Sequence, residues 1–553
     1  MIDSWIVLLP PLLVLALAFT THRVLLSIFC GIVTAALIFH GGAPIASAKT
    51  IGLRLWQKSE LHTFSSWESL TSGFALYMFL FLLAIGVLIN LISHSGGAYA
   101  YGAAIRKKIK NARSAESASL VMSMMFFIDD FFSCITVGAV MQPILDKFNI
   151  PRAKTAFLVD SLAAPLCMIA PISSWVAVVV MYLQNAGISS TKSSSTLVLA
   201  DPYYMFLKII PFIFYSSIIF VSVWFIVRKR ISFGLMYKHE RIAKEKGNLF
   251  GGKEAPKKTV GGVHESNKKD ESIIDFIFPF SLLLVSSVVS ILYFGGYKLF
   301  GGAHKFLESL RHSNIALALF IAVMITTIAS IILLFIRKKL CIKTFPRVFY
   351  DGVKLMLPSV AILLLAWTFS SLLQQELGTG TYLAKHLIGN VPIVFIPVLF
   401  LIVSSISSSA MGSAWGAMAV MIPIAVPMIV TLHHAATPAN WFDLPLLLPT
   451  MGAIFSGAVS GNHLSPISDT TIMSARGVGC HQIDHVKTQL WFSVPTIIAT
   501  CVAFIVSGFM MLHKPFVNIA VSMTAGLATN FIILGILNKA RVIKNNYKYR
   551  GVK

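Results

Sequence analysis

Acidic residues are scarce in this chain. Its 553 residues hold 22 Asp and Glu against 45 Lys and Arg; only 12% are charged, while 56% are hydrophobic. A soluble domain of this size needs far more charge to cover its surface, so a soluble enzyme or scaffold is excluded. Cysteine is also thin. The six (Cys30, Cys134, Cys167, Cys341, Cys480 and Cys501) are scattered without metal-type spacing, mostly in apolar runs. They read as small buried hydrophobes. No nucleotide-binding loop occurs, which argues against a primary pump in this chain. Nor are the basic residues spread over one face, as nucleic-acid binding requires. They cluster between apolar runs, in 106–113, 228–272, 337–347 and after Asn538.

What the chain does have is long apolar runs. Segments 5–19, 73–92 and 315–336 are each near the ~20 residues that cross a bilayer as helix. Asp3 precedes the first run and no basic stretch does, so a first span is expected there rather than a cleaved signal. With the basic loops taken as cytoplasmic, the spans are 5–20, 24–40, 73–93, 155–183, 203–227, 274–295, 313–336, 355–375, 445–475, 489–512 and 515–538. That is about eleven, with the N-terminus outside and the C-terminus inside.

Two apolar segments do not fit as single crossings. Residues 115–145 are flanked on both sides by basic stretches, and 392–432 by weakly charged ones. Each reads as a re-entrant hairpin, the first from inside and the second from outside. Irregular backbone at membrane depth is tolerated only where protein buries it or water lines it, so the tips are candidate sites. The first tip holds Asp129 and Asp130 in MMFFIDDFFSCITVG (124–138); the second is SSISSSAMGSAWG (404–416).

Collinear matches join the two halves: GAY with GTY, aligning Tyr99 with Tyr382; AVMQPI (139–144) with AVMIPI (419–424); and APISS (170–174) with SPISD (465–469). After each hairpin comes a span interrupted by Pro, Gly and polar residues. The first carries Pro165 and Pro171, the second Gly457, Gly461 and Pro466. Proline frees the carbonyl four residues earlier, and freed carbonyls with hydroxyls and a carboxylate make the oxygen-rich site a hard cation wants.

The fold class expected is therefore an all-α polytopic membrane protein, with two inverted repeats, re-entrant hairpins and proline- or glycine-broken transmembrane helices. The first repeat is 1–227 with its hairpin at about 115–145. A flexible basic cytoplasmic linker covers 228–272. The second repeat is 273–512 with its hairpin at about 392–432, and 513–553 adds a span and a basic tail.

The stretches DDFFSCITVGAVMQPI, DSLAAPLCMIAPISSW and SGNHLSPISDTTIMSARGVGCHQIDHVKTQL resemble the signature regions of NhaC-type sodium/proton antiporters, over about residues 75–500. The resemblance implies the fold of the ion-transporter superfamily, with inverted repeats and re-entrant hairpins, and Na⁺/H⁺ exchange. Two positions depart from the pattern. Asn462 stands where members often have Asp, and Ser133 where they have a polar amide; one fewer acid bears on ion preference and coupling ratio. Relatives that exchange small organic acids or carry amino acids leave the substrate open.

The expected ion-binding and transport residues are Asp129, Asp130, Asp160, Asn462, His463, Ser468, Asp469 and Thr470. A carboxylate at the centre of a span costs about 2.5–3.5 kcal/mol on insertion scales, so it is kept for a function. Na⁺ is expected at Asp130 and Asp469, with Asp129 an equal alternative to Asp130, and a proton replaces Na⁺ in the other half-cycle. Asp160, six residues past Lys154, is placed near the cytoplasmic end, where it lines an access path or snorkels to water. His463 either relays protons or donates as a neutral ring to a freed carbonyl. Ser133, Thr136, Ser161, Pro171, Ser173 and Pro466 support the site, and the serines of 404–413 are weighed as further ligands. No catalytic residue or resident cofactor is expected. The partners are the lipid bilayer and a small cation, with no nucleic acid; a homodimer is left open. The expected location is the inner (plasma) membrane. Adjacent acids and proline-broken repeats suit ion coordination better than the nucleophile–base pair of an intramembrane hydrolase.

Overall fold

In the computed structural model the residues described are 4–550, less 22, 61–74, 98–99, 101–103, 105–108, 194, 257–271, 307, 310–312 and 388–389. Tyr99 of the first sequence match, basic residues 106–108 and most of the linker's second half lie outside them.

Helices α1 (Leu9–Thr21), α2 (Val24–Phe39) and the more polar α3 (Pro44–Ser59) precede the apolar α4 (Ala75–Ser95). α5 (Ala112–Met125) and α6 (Asp130–Asp146) form the first helix pair. α7 (Arg152–Ile169) and α8 (Ser174–Asn185) form a span bent by 54°. α9 (Pro202–Ile209), α10 (Phe214–Lys229) and α11 (Gly234–Lys246) follow, with a 46° bend after Phe212. The second half brings α12 (Ile274–Phe294), α13 (Ile315–Ile336), α14 (Phe345–Ser371) and the short α15 (Thr379–Leu387). Its helix pair is α16 (Ile396–Met411) and α17 (Ala414–Leu432), and its broken span α18 (Leu447–Leu464) and α19 (Asp469–Gly477). α20 (Gln482–Phe509) and α21 (Pro515–Arg550) complete the chain. Among the described residues eight helices are long and apolar enough to cross a membrane, or ten if each bent pair counts once. The fold is all-α and polytopic.

The sequence matches land on equivalent elements. AVMQPI lies in α6 and AVMIPI in α17, each the second arm of its helix pair; APISS and SPISD fill the two breaks. The ends of each pair lie on one face, and the two pairs use opposite faces. Glu116 of α5 and Asp146 of α6 both meet the basic side, through Lys154 (2.9 Å) and Arg152 (2.8 Å). On the other side, β1 (Ile188–Ser189), β2 (Val198–Leu199) and β3 (Ala439–Asn440) pair in parallel just beyond α8 and α17. There too Lys58 donates to Asn185 (2.8 Å) and Arg54 pairs with Glu376.

Three local expectations change. Pro165, Gly457 and Gly461 sit inside helices; the breaks fall at 170–173 and 465–468. The glycines instead let α18 approach α16. A Cβ on Gly461 would stand 2.3 Å from the Ser405 carbonyl oxygen, and one on Gly457 2.5 Å from that of Leu401. Small residues at a crossing give membrane helices the close packing that stands in for a hydrophobic drive. Ser404 and Ser408 donate across this seam to the Ile454 (2.8 Å) and Ala458 (2.6 Å) carbonyls, and Ser460 to Ser405 (3.1 Å), so these serines are helix glue. Finally, the linker is ordered over 228–256. α11 docks beneath α7 and α20, with Glu240 on Lys154 (2.6 Å) and Lys253 on Asp484 (2.6 Å). Its packing residues Met236, His239 and Ala243 are too few to stand out in a basic sequence.

Candidate ion-binding site

The first hairpin turns at Phe126–Asp129, against the break between α7 and α8. Ser174 donates its backbone N–H to the Ile128 carbonyl (2.8 Å) and its hydroxyl to Asp129 Oδ2 (2.9 Å). The break is held by residues expected to support the site, Ser173 and Pro171. Ser173 caps α8, accepting from the Val176 N–H (3.4 Å), and donates to the Cys167 carbonyl (2.7 Å) that Pro171 leaves free. The Pro171 carbonyl accepts from Tyr203 (3.1 Å).

Asp129 and Asp130 are each 1% exposed. Asp130 opens α6, where the helix N-terminus favours negative charge. Its Oδ1 and the Ser133 hydroxyl are buried without a hydrogen-bond partner, and Thr136 is buried further along the helix. No Lys, Arg or His among the described residues pairs with Asp130, whose charged neighbours are Asp129 and, farther off, Asp469. Two buried acids side by side cannot both stay ionised unless a cation joins them; otherwise one takes a proton.

The second tip, Gly412–Ser413, meets the second break. Gly412 has φ +64° and a Cβ there would lie 2.7 Å from the Ile467 carbonyl oxygen, so the turn needs glycine both for its backbone and for its fit. Ser468 precedes α19 with its hydroxyl 3.3 Å from Thr470, and the Pro466 carbonyl accepts from Gln482 (2.5 Å). Asp469, the first residue of α19, is exposed, as is Pro466. Asp469 therefore stands at a surface opening of the break rather than inside it. Among the described residues no three His, Cys, Asp or Glu side chains converge on a metal-sized point; an ion held here takes hydroxyl and carbonyl oxygens as well.

Asp160 is not near water. It is fully buried in α7 and anchors a second polar group. Gln489 of α20 donates to Oδ2 (2.6 Å) and also to the His463 carbonyl (3.2 Å). Ser474 lies 3.2 Å from Oδ1 and Thr471 3.4 Å from Oδ2, both from α19. His485 Nε2 is 3.3 Å from Oδ2. His463 Nε2 lies 3.1 Å from the Asp160 carbonyl, and its Nδ1 2.8 Å from the Tyr215 hydroxyl. A carbonyl only accepts, so Nε2 carries a hydrogen and donates to it, while Nδ1 meets a hydroxyl that can donate or accept. The carbonyl it meets is that of Asp160, not the Ser161 carbonyl opposite Pro165. Asn462 touches the group through its carbonyl, 3.3 Å from Thr471, while its Oδ1 and the Ser161 hydroxyl are buried without partners.

The structure thus gathers Asp129, Asp130 and Ser133 at one tip, with Asp469 at the neighbouring opening. It gathers Asp160, Asn462 and His463 in a separate group. Tyr215, Thr471, Ser474, His485 and Gln489 were missed. His485 and Gln489, four residues apart, and Thr471 and Ser474, three apart, left a signal, a spacing that puts each pair on one face of a helix.

Comparison with known sequences agrees with this architecture. The profile described as "Na+/H+ antiporter family" matches residues 166–509. The chain belongs to the Na⁺/H⁺ antiporter family. It is 30% identical over 508 residues to an uncharacterised protein of Haemophilus influenzae, covering 91% of this chain and 90% of that one. It is 36% identical over 110 residues to the malate-2H⁺/Na⁺-lactate antiporter of Bacillus subtilis, 20% of this chain and 21% of the relative. It is 39% identical over 57 residues to the Na⁺/H⁺ antiporter NhaC of Alkalihalophilus pseudofirmus, 10% and 12% of the two chains.

Proposed function

We propose that this member of the family exchanges Na⁺ for H⁺ across a plasma membrane, N-terminus outside and C-terminus cytoplasmic, by competition for carboxylates inside the bilayer. The observation that carries the reading is Asp130: buried, at a helix start, beside a second acid and without a basic partner. Such a group must be neutralised, and a proton or a small cation each does so while excluding the other. Na⁺ sits at Asp130 with Asp469, hydroxyls of the tip and break completing its shell. Inverted hairpins and broken spans let such a site open to one side at a time.

A second reading has two supports: the partial likeness to a malate–lactate antiporter, and a cavity of about 320 Å³ on the β-strand side, lined in part by Gln57, Lys58, Gln184, Asn185 and Gln374. Lys58 and the amides suit a small carboxylate. The test is dissipation of an imposed proton gradient in proteoliposomes by Na⁺, Li⁺, K⁺, malate, lactate or basic amino acids. Dissipation by Na⁺ alone is expected. Dissipation only when an organic acid is present transfers the assignment to the second reading.

A further inference from the structure

Asp160 and the hairpin-tip acids are separate groups, and the hydrogen-bond count around Asp160 shows what the second is for. Gln489 gives Asp160 one firm donor. The other two are shared: Ser474 also reaches the Thr470 carbonyl at 2.7 Å, and Thr471 the Asn462 carbonyl at 3.3 Å. Each hydroxyl has a single hydrogen, so the carboxylate is under-served. A buried carboxylate without positive charge is costly by several kcal/mol. His463 cannot pair with the carboxylate directly, because its Nε2 meets the Asp160 backbone carbonyl and its Nδ1 the Tyr215 hydroxyl. His485 can. It is 0% exposed, its Nε2 faces Asp160 Oδ2 at 3.3 Å, and among the described residues its Nδ1 has no hydrogen-bond partner.

We propose that Asp160 and His485 form a second proton-binding pair, distinct from the hairpin-tip acids, whose occupancy α19 couples to the transported cation. The inference rests on the exchange reading above. A proton delivered from bulk hydronium adds to the Nε2 lone pair of His485, giving an imidazolium paired with the Asp160 carboxylate; it is released to bulk water again when Na⁺ arrives. The coupling element is short and stiff. The nine residues of α19 carry Asp469 at one end, toward Asp130, and Thr471 and Ser474 on Asp160. Gly477 of the same helix packs on α6, where a Cβ would lie 2.7 Å from the Cys134 carbonyl oxygen. Drawing Asp469 toward a cation therefore moves the hydroxyls on Asp160, and the added positive charge disfavours the imidazolium.

The other titratable groups around the pair are Cys134 on α6, His463 on α18 and Tyr215 on α10. At one remove are Asp484 with Lys253, and Lys154 with Glu116 and Glu240. Those outer charges are already paired, which leaves His485 as the ring free to change state.

The test measures protons released when NaCl is added to the purified full-length protein in weakly buffered detergent, with a pH-indicator dye and choline chloride as the ionic-strength control. In the wild type, release is expected to include a component supplied by the Asp160–His485 pair. His485→Gln should lose that component and release fewer protons per Na⁺, while release from the tip acids persists. Asp160→Asn keeps the ring but removes the charge that holds its proton, and should lose the same component; it carries the test if the histidine variant does not purify as a monodisperse species. Release from both variants equal to wild type, with the same pH profile, overturns the proposal. No Na⁺-specific release from wild type overturns the exchange reading itself.

Discussion

Asp130 and Lys154 show two ways a buried charge is handled in one molecule. Among the described residues Asp130 has no basic side chain beside it and its Oδ1 has no hydrogen-bond partner; Lys154 lies 2.9 Å from Glu116 and 2.6 Å from Glu240, and Arg230 adds a 3.0 Å contact to Glu116. The first arrangement suits a group whose charge must change, the second one whose charge must not. Asp130→Asn should cut Na⁺-driven proton flux by ~10²-fold or more, as loss of an obligatory proton-transfer group does, while the protein still inserts and purifies. Asp469→Asn should weaken Na⁺ affinity more than maximal flux, because that residue stands at the opening. Flux from both variants equal to wild type would move the site elsewhere. Lys154→Met leaves the buried Glu116 and the partly buried Glu240 facing one arginine and should cost about 3–5 kcal/mol, seen as a lowered thermal midpoint in detergent. An unchanged midpoint would mean the network is decorative.

At the scale of elements, the close approach of α16 and α18 depends on glycine. Gly461→Ala places a methyl 2.3 Å from a carbonyl oxygen and should destabilise by about 1–3 kcal/mol. The same change at Gly535 of α21, where nothing lies within 4 Å, should be neutral or stabilising by about 0.5–1 kcal/mol. Parallel thermal melts compare the two, and equal shifts would argue against the packing role. The helices, the two helix pairs and the two breaks were readable from apolar run length, flanking charge and proline, because the bilayer imposes those patterns on any spanning chain. Pairings across the sequence were not readable. The serines of 404–413 look alike whether they bind an ion or bond to α18, and only the partner's carbonyls decide between them. Asp160 was misjudged for the same reason. Its distance from Lys154 along the chain suggested water, but α10, α18, α19 and α20 close over it, and no periodicity in α7 announces them.

At the scale of the whole molecule, the basic loops gather on one face, which also holds Cys341 and Cys480. Cys341 is exposed, and its thiol is held below the ordinary value by the Thr344 hydroxyl, 3.2 Å away. Burial pushes Cys480 up to about 12. More thiolate at neutral pH means faster alkylation. A membrane-impermeant maleimide should therefore label Cys341 well ahead of Cys480, and only from the cytoplasmic side; labelling of Cys341 in right-side-out vesicles would invert the topology. The most direct test of exchange at buried acids is radioactive Na⁺ uptake into tight proteoliposomes, driven by an imposed proton gradient, for wild type and Asp130→Asn side by side. Wild type should accumulate Na⁺ above equilibrium and the variant should stay at the level of empty vesicles. Equal accumulation in the two, or none in wild type at any proton gradient, would contradict it.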